Sequence, residues 1–319
     1  MTHTTFSRIA SVSAAAAFAI GLAACGQNAQ TAGTAPTSSM STTVATTTPA
    51  PTTTTTLTPT STTAARSSAE FDELVIVGGA RMHLHCAGHG DRTVLLIAGF
   101  TSDRTAFGSV EAELSATTRV CSYDRFGTGT SDAPPAPQTF ATQAHDLHEL
   151  LTAVHEGGPY TVVGHSFGGD VAVTFTSLFP GDVRGLLLLD ASPVTWNAAL
   201  CGVVDDGSPT AATFVAGCAM QSAPANNSEG LAGPAAFAEL AGITALGATP
   251  MIVDSAAHHG YEGLDPVTAS QLDEVWKDGQ AHWASLSSAA QLVAVEQSGH
   301  QIQLDRPDLV IAQVAELNG

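Results

Sequence analysis

The sequence predicts an α/β domain with a mostly parallel sheet for residues 70–319, and three observations support this prediction. Short apolar runs alternate with longer stretches of helical periodicity, as expected where strands and helices follow one another along the chain. The region has 250 residues, enough to enclose one large hydrophobic core. Residues 192–248, rich in Ala, Gly, Ser and Pro, interrupt the alternation, and an insertion of this length commonly covers a functional site. We therefore expect one α/β domain with an inserted cap.

Each predicted element follows from this pattern. Eight short apolar runs are the predicted strands, at residues 73–77, 82–86, 94–98, 119–123, 160–163, 186–189, 251–253 and 291–296. Five longer segments are predicted helices, several beginning at Asp, Ser or Pro as helix N-termini prefer, at residues 103–114, 140–154, 167–178, 266–286 and 307–317. The predicted cap falls between the sixth and the seventh strands.

The first 24 residues have the composition of a bacterial export signal. They carry one cation, Arg8, followed by an apolar run of small residues, and they contain no acidic residue. The run is too short and too rich in alanine for a membrane span. It ends in Leu22-Ala23-Ala24-Cys25, which resembles the bacterial lipobox, a motif whose cysteine is acylated after the signal is cut. We expect Cys25 to anchor the chain to the outer face of a bacterial membrane; a signal with an incidental cysteine is the alternative.

Residues 25–69 are predicted to form a disordered stalk. The segment after Cys25 has one charged residue, Arg66, and 17 threonines mixed with Ser, Pro and Ala, so it lacks the side chains of a core. Arg8 and Arg66 are the two basic residues before residue 70, and no acidic residue lies there, so the domain holds eight basic and 29 acidic residues, a net charge of −21. This charge disfavours nucleic-acid binding and attraction to anionic lipid headgroups, since both need basic patches.

Residues 161–169 carry the strongest chemical signal, the sequence Thr-Val-Val-Gly-His-Ser-Phe-Gly-Gly. A β-branched strand leads into Gly-x-Ser-x-Gly and then into an apolar helix. Such a turn holds its serine in a strained conformation, and side chains in place of Gly164 or Gly168 would collide with the neighbouring strand and helix. The turn lifts the Ser166 hydroxyl clear of the sheet and directs the helix N-terminus, with the Phe167 N–H, at a developing oxyanion. Ser166 is therefore the predicted nucleophile.

A serine hydroxyl needs a base to take its proton, and His300 is the predicted base. Ser298-Gly299-His300 follows the last predicted strand and precedes the closing helix. His300 is thus expected on a loop at the carboxyl end of a strand, the edge where open α/β sheets keep their active sites. His165, beside the nucleophile, is expected to be a packing residue.

Three motifs in this order resemble the α/β-hydrolase superfamily. They are Tyr-Asp-Arg-Phe-Gly-x-Gly-x-Ser-Asp at residues 123–132, Gly-His-Ser-Phe-Gly-Gly at 164–169 and Ser-Gly-His at 298–300. The resemblance covers residues 70–319. It implies the α/β-hydrolase fold, an eight-stranded, mostly parallel sheet with helices on both faces and a cap inserted after the sixth strand. Asp124 and Arg125 of the first motif are expected to brace loops near the site.

The resemblance also implies a triad in the chain order Ser, acid, His, and two aspartates are candidates for the acid. Asp190 ends the sixth strand, a position that some members use, and is favoured. Asp254 ends the seventh strand, near the commoner position, but lacks the usual Gly-x-x-Asp spacing. The loop after the third strand, Ala98-Gly99-Phe100-Thr101, should supply a second oxyanion donor, the Phe100 N–H. Many relatives have His-Gly in this loop, so Ala98 departs from the pattern.

Four cysteines remain after Cys25, an even number in a chain that is predicted to be exported, and three pairings are open. Their spacing matches no zinc pattern. In the α/β-hydrolase fold the second strand runs antiparallel beside the fourth, which places Cys86 next to Cys121, while Cys201 and Cys218 share the cap. The resemblance therefore implies the disulfides Cys86–Cys121 and Cys201–Cys218, with buried free cysteines as the alternative.

The predicted function is hydrolysis of a carboxylic ester, or of a related acyl substrate, through an acyl-enzyme formed on Ser166. The expected partners are a small-molecule ester or a lipid as substrate, and the membrane through the lipid anchor. No metal and no organic cofactor is implied. Serine at the turn argues against the superfamily's aspartate-dependent dehalogenases and epoxide hydrolases, whereas amides, thioesters, lactones and carbon–carbon bonds stay open as targets. The alternative is a non-catalytic cell-surface binding module on the same scaffold.

Overall fold

The computed structural model describes residues 70–319. The predicted signal peptide of residues 1–24, the predicted lipidation at Cys25 and the predicted stalk of residues 25–69 lie outside the described residues. All eight predicted strands are present and form one sheet: β1 (Phe71–Val77), β2 (Ala80–Ala87), β3 (Thr93–Ile97), β4 (Arg119–Asp124), β5 (Tyr160–His165), β6 (Val183–Leu189), β7 (Met251–His258) and β8 (Ala290–Gly299).

The sheet has the strand order β1-β2-β4-β3-β5-β6-β7-β8. β2 runs antiparallel to both β1 and β4, and the remaining neighbours from β4 to β8 are parallel. The central strands β3, β4 and β5 are buried along their whole length, as expected for parallel strands covered on both faces. The eight-stranded, mostly parallel sheet that the sequence predicts is confirmed.

Helices cover both faces of the sheet. They are α1 (Gly108–Leu114), α2 (Phe140–Ala153), α3 (Phe167–Leu178), α4 (Trp196–Leu200), α5 (Pro209–Ser222), α6 (Gly233–Leu240), α7 (Pro266–Ser285), α8 (Ile302–Asp305) and α9 (Pro307–Asn318). Successive strand side chains point to opposite faces, so Val162 joins a core with α2, α3 and α7, whereas Val163 joins a second core with α1 and α9. The two cores hold the sheet between two helical layers.

One predicted helix is divided in two. The sequence predicts a single helix over residues 103–114, but the structure has a 3₁₀ turn at Arg104–Phe107 before α1. The Asp103 carboxylate accepts the Thr105 N–H at 2.9 Å, and the Asp103 carbonyl accepts the Ala106 N–H at 3.2 Å. These short-range bonds tighten the first turn, so the regular helix begins only at Gly108.

The cap lies between β6 and β7, as predicted, and consists of α4, α5 and α6 with the loops that join them. A disulfide between Cys201 and Cys218 joins the end of α4 to α5. The second disulfide joins Cys86 of β2 to Cys121 of β4, which are direct partners in the antiparallel register. Both predicted pairings are therefore present. Within residues 70–319 we find no helix that is both long enough and apolar enough to cross a membrane.

Candidate active site

Ser166 lies at a sharp turn between β5 and α3. Its backbone has φ 51° and ψ −126°, a strained conformation for a residue with a side chain. A Cβ atom on Gly164 would lie 2.5 Å from the carbonyl oxygen of Gly168, and one on Gly168 would clash with the carbonyl oxygens of Ile97 and Ala98. Backbone contacts therefore require glycine on both sides of the serine.

The loop and the helix that carry the two predicted oxyanion donors border this serine. Phe167 is the first residue of α3, so its N–H has no carbonyl of the helix to bond, and the helix dipole gives it partial positive charge. The loop after β3 passes close to the turn, since a Cβ atom on Gly99 would lie 3.5 Å from the Ser166 Cβ. The rings of Phe100 and Phe167 pack with their centroids 5.2 Å apart. The loop and the helix N-terminus therefore approach Ser166 together.

The imidazole of His300 is bonded to Asp190. His300 directly follows β8, and its Nδ1 lies 2.7 Å from Asp190 Oδ2. Asp190 directly follows β6 and its side chain is 0% exposed, whereas that of His300 is 30% exposed. Because Nδ1 faces the carboxylate, Nε2 is the nitrogen left for Ser166, and His300 and Ser166 line the same pocket. Three of the predicted residues thus meet at the carboxyl edge of the sheet.

Several elements hold the Asp190 carboxylate in place. The Ala256 N–H of β7 and the Trp276 Nε1–H of α7 donate to Oδ1 at 3.0 and 2.8 Å. Burial by itself raises the pKa of Asp190, but the hydrogen bonds from His259 and His300 outweigh burial, and the pKa lies below its usual range. Asp190 is therefore ionised at neutral pH and can accept a hydrogen bond from a histidine N–H.

Asp254, the alternative acid, lies on the neighbouring strand and bonds elsewhere. It is fully buried, and its Oδ1 accepts a hydrogen bond of 2.7 Å from Gln313 of α9. Burial, together with the nearby negative charge of Asp190, raises the pKa of Asp254 to about 7. The Asp254 carbonyl accepts the Asp190 N–H at 2.9 Å. Asp254 thus supports the backbone of Asp190, and Asp190 is the carboxylate that faces His300.

His165 is buried, as expected, and it also braces the loop of His300. Its Nε2 lies 2.8 Å from the His300 carbonyl oxygen, and the two rings are 4.7 Å apart. Burial, with the positive charge of a protonated His300, lowers the pKa of His165 to about 3. His165 is therefore neutral, and the bond to a carbonyl assigns its proton to Nε2.

A second histidine, His259, also contacts Asp190. Its Nε2 lies 3.3 Å from Asp190, and its Nδ1 lies 3.3 Å from Asp273 Oδ1 of α7. Burial lowers the pKa of His259, but the bonds and charges of the two carboxylates outweigh burial and raise it above its usual value. Sequence reasoning missed this residue, although its position just after β7, on the edge that holds the other site residues, was the available signal.

The pocket beside Ser166 has a volume of about 130 Å³. Its other walls are formed by His259, His300 and four larger aromatic residues, Trp196, Phe214, Tyr261 and Trp276. Trp196 and Phe214 come from α4 and α5 of the cap, and Trp276 comes from α7. The cap therefore forms part of the site wall.

A buried ion pair ties the cap to the loop after β3. The Arg125 guanidinium donates to the carbonyl oxygens of Ala98 and Gly99 at 2.5 and 2.7 Å and forms an ion pair of 2.8 Å with Glu229. Glu229 lies in the cap and also accepts the Thr101 N–H at 2.6 Å. Arg125 thus braces a loop, as the sequence predicts. Glu229 gave no signal in the sequence, because its partner is 104 residues away.

Comparisons with known proteins agree with this architecture. A family model described as the alpha/beta hydrolase fold matches residues 92–205. An uncharacterised protein of Mycobacterium tuberculosis is 37% identical over 119 residues, which are 37% of this chain and 34% of that protein, so the match spans about a third of the relative's length.

Solved structures share the fold at low identity. A putative alpha/beta hydrolase from Nostoc is 18% identical with a TM-score of 0.57, and the match covers 78% of this chain and 98% of that one. A thermophilic esterase from Thermogutta terrifontis is 21% identical with a TM-score of 0.52, over 78% of this chain and 96% of that one. With the strand order, the serine turn and the matched family model, these likenesses show that the described domain has the α/β-hydrolase fold.

Proposed function

We propose that this protein is a serine hydrolase that cleaves a carboxylic ester through an acyl-enzyme, with Ser166, His300 and Asp190 as its triad. The observation that carries the proposal is the 2.7 Å bond between His300 Nδ1 and the buried, ionised Asp190, since His300 lines the same pocket as Ser166. A bonded acid and base beside a strained serine are the arrangement that activates a hydroxyl for acyl transfer.

In the first half of the reaction, His300 Nε2 takes the proton of the Ser166 hydroxyl as its oxygen attacks the ester carbonyl carbon. The carbonyl oxygen becomes an oxyanion, which the N–H groups of Phe100 and Phe167 stabilise. Asp190 stabilises the imidazolium and holds its tautomer. His300 then gives its proton to the leaving alcohol oxygen, the bond from that oxygen to the acyl carbon breaks, and the acyl group stays on Ser166.

The second half repeats these roles with water. His300 takes a proton from the water molecule, the hydroxide oxygen bonds to the acyl carbon, and the same two N–H groups hold the new oxyanion. The bond between the Ser166 oxygen and the acyl carbon then breaks, His300 returns the proton to the Ser166 oxygen, and the acid product leaves. The fold likeness to the esterase from Thermogutta terrifontis is consistent with ester chemistry in this scaffold and does not choose a substrate.

A fluorophosphonate probe tests the proposal, because it labels only activated serines. The full-length protein is compared with Ser166→Ala, His300→Ala, Asp190→Asn and Asp254→Asn. We expect labelling to be lost in the first two variants and to slow by about 10⁴-fold in Asp190→Asn, since the amide imposes the wrong tautomer on His300. Asp254→Asn is the matched control and should label at a rate close to that of the wild type.

Three results would contradict the proposal in different ways. Labelling that survives Ser166→Ala would exclude this serine as the nucleophile. A folded wild-type protein that takes up no probe would favour the non-catalytic binding module. If Asp254→Asn rather than Asp190→Asn slows labelling, the acid has been assigned to the wrong strand.

The proposed location is the outer face of a bacterial membrane, with Cys25 as the acylated anchor. The motif at residues 22–25 supports this location, as do two disulfides in the domain, because disulfides persist in oxidising compartments. Metabolic labelling with a clickable fatty acid should mark the wild type and leave Cys25→Ala unmarked. Equal labelling of both proteins would refute the anchor.

A further inference from the structure

The pocket beside Ser166 is walled almost entirely by aromatic rings. Trp196 and Trp276 meet edge to face with centroids 4.7 Å apart, Trp196 lies 6.3 Å from Phe214, and Phe214 lies 5.8 Å from Tyr261. Each ring thus supports the next, forming a continuous wall from the cap to the segment after β7. Such a wall presents ring faces and edges, which favour flat aromatic groups through offset and edge-to-face packing.

Two of the polar side chains in this wall are bonded to carboxylates, whereas the buried Tyr261 hydroxyl has no hydrogen-bond partner among the described residues. Both ring nitrogens of His259 face carboxylates, those of Asp190 and Asp273, so His259 offers the pocket its ring rather than a hydrogen-bonding nitrogen. The Trp276 Nε1–H is bonded to Asp190 at 2.8 Å. A substrate group in this pocket therefore meets mainly ring surface, with the polar groups of Ser166 and His300 at one side.

The volume limits the size of that group. The pocket has a volume of about 130 Å³ and is partly open to solvent. An apolar cavity of about 150 Å³ in another protein holds a single benzene molecule, which sets the scale. One six-membered ring therefore nearly fills the pocket, whereas an extended chain of eight or more carbons would continue past its open side.

We infer that the substrate is an ester carrying one compact aromatic ring beside the scissile bond, rather than a long-chain lipid ester. This inference rests on the proposed function and adds the class of substrate to it. The ring belongs either to the acyl group or to the alcohol, since both moieties adjoin the reacting carbon, and the experiment distinguishes these two sources.

Two substrate series test the inference on the full-length protein, with hydrolysis followed by proton release. The acyl series is methyl phenylacetate, methyl cyclohexylacetate and methyl octanoate. The alcohol series is benzyl acetate, cyclohexylmethyl acetate and octyl acetate. Within each series the phenyl and cyclohexyl members have equal numbers of carbon atoms and differ in flatness. In the series whose ring enters the pocket, we expect kcat/KM for the phenyl member to exceed that of both others by about tenfold, which is the scale of one or two aromatic pairs.

Variants link this preference to the wall. Trp196→Ala removes a half-buried ring of the cap, and the phenyl-to-cyclohexyl ratio should fall to about one while the octyl or octanoyl ester becomes the better substrate. Val215→Ala is the control, because Val215 lies on α5 beside Phe214 and is 37% exposed. It should keep the wild-type ratio, and thermal unfolding of both variants checks that the cap is folded.

The inference and the proposed function fail in different ways. If fluorophosphonate labels Ser166 but the phenyl and cyclohexyl esters react equally in both series, or the eight-carbon esters react fastest, the aromatic class is wrong and the hydrolase stands. If neither series is hydrolysed and no probe is taken up, the hydrolase proposal itself falls and the inference falls with it.

Discussion

The ion pair between Arg125 and Glu229 gives the sharpest prediction of stability. The Arg125 side chain is 2% exposed and that of Glu229 is 0% exposed, and the guanidinium meets both carboxylate oxygens, at 2.8 and 3.1 Å. Glu229→Gln keeps the size of the side chain and removes its charge, which leaves a buried cation without its counter-charge. Breaking a buried pair in this way costs about 3–5 kcal/mol. In a domain of this size each kcal/mol lowers Tm by about 2–4 °C, so Tm should fall by roughly 10 °C.

Thermal unfolding at neutral pH measures this loss, with an exposed pair as the control. Arg306 and Asp308 form an ion pair of 2.9 Å whose side chains are 33% and 68% exposed, so Asp308→Asn should cost less than about 1 kcal/mol. The double variant Arg125→Met/Glu229→Met should recover much of the stability, because neither charge is then left unpaired. It should not recover esterase activity, because the loop carbonyls that Arg125 holds have lost their donors. A Glu229→Gln protein that melts within 2 °C of Asp308→Asn, on the scale of about 2–4 °C per kcal/mol, would refute the reasoning.

Three further measurements check other parts of the structure. Because the pKa of Asp254 is raised, its protonated carboxyl stabilises the fold at low pH, and this stability is lost as the pH rises from about 4 to about 7. By calorimetry, Asp254→Asn should therefore be more stable than the wild type by up to about 4 kcal/mol at pH 8 and equally stable at pH 4. Gly168→Ala should abolish fluorophosphonate labelling because its methyl group meets backbone carbonyls, whereas Gly157→Ala, with nothing within 4 Å of the new methyl, should label normally. Replacing Cys201 and Cys218 by alanine should lower the free energy of unfolding by about 3 kcal/mol, measured in urea.

The fold and part of the site could be predicted because their signals are local. All eight strands were predicted from runs of apolar residues. Ser166 was predicted from a five-residue motif, residues 164–168, whose two glycines are required by close backbone contacts. Asp190 and His300 each directly follow a strand, so the edge on which they lie is set by the parallel direction of those strands. The choice between Asp190 and Asp254 was open, because both follow apolar strand residues and differ only in their tertiary partners.

The remainder of the site depends on contacts that no local pattern encodes. Glu229 lies in a segment of Ala, Gly and Ser, and its charge is useful only because Arg125 is brought to it from 104 residues away. Trp276 is on a helix whose periodicity explains its burial but not that its indole N–H reaches Asp190, 86 residues earlier. His259 gains its role from two carboxylates on different elements, so the sequence shows it as one histidine among 12.

The two buried aspartates explain why a single negative charge forms at this edge of the sheet. Asp190 directly follows Leu189, and Leu189 of β6 is paired with Asp254 of the adjacent parallel strand β7. Two buried carboxylates this close do not both ionise readily. Asp190 receives donors from β7 and α7 and from two histidines, whereas the Asp254 side chain receives one neutral amide from Gln313. Asp190 is therefore the ionised carboxylate, and the Asp254 carboxyl keeps its proton up to about pH 7. The distribution of donors, rather than the strand position, thus selects Asp190 as the carboxylate that can orient His300. If donors were removed from Asp190, for example by Trp276→Phe, its pKa should rise and its advantage over Asp254 should shrink.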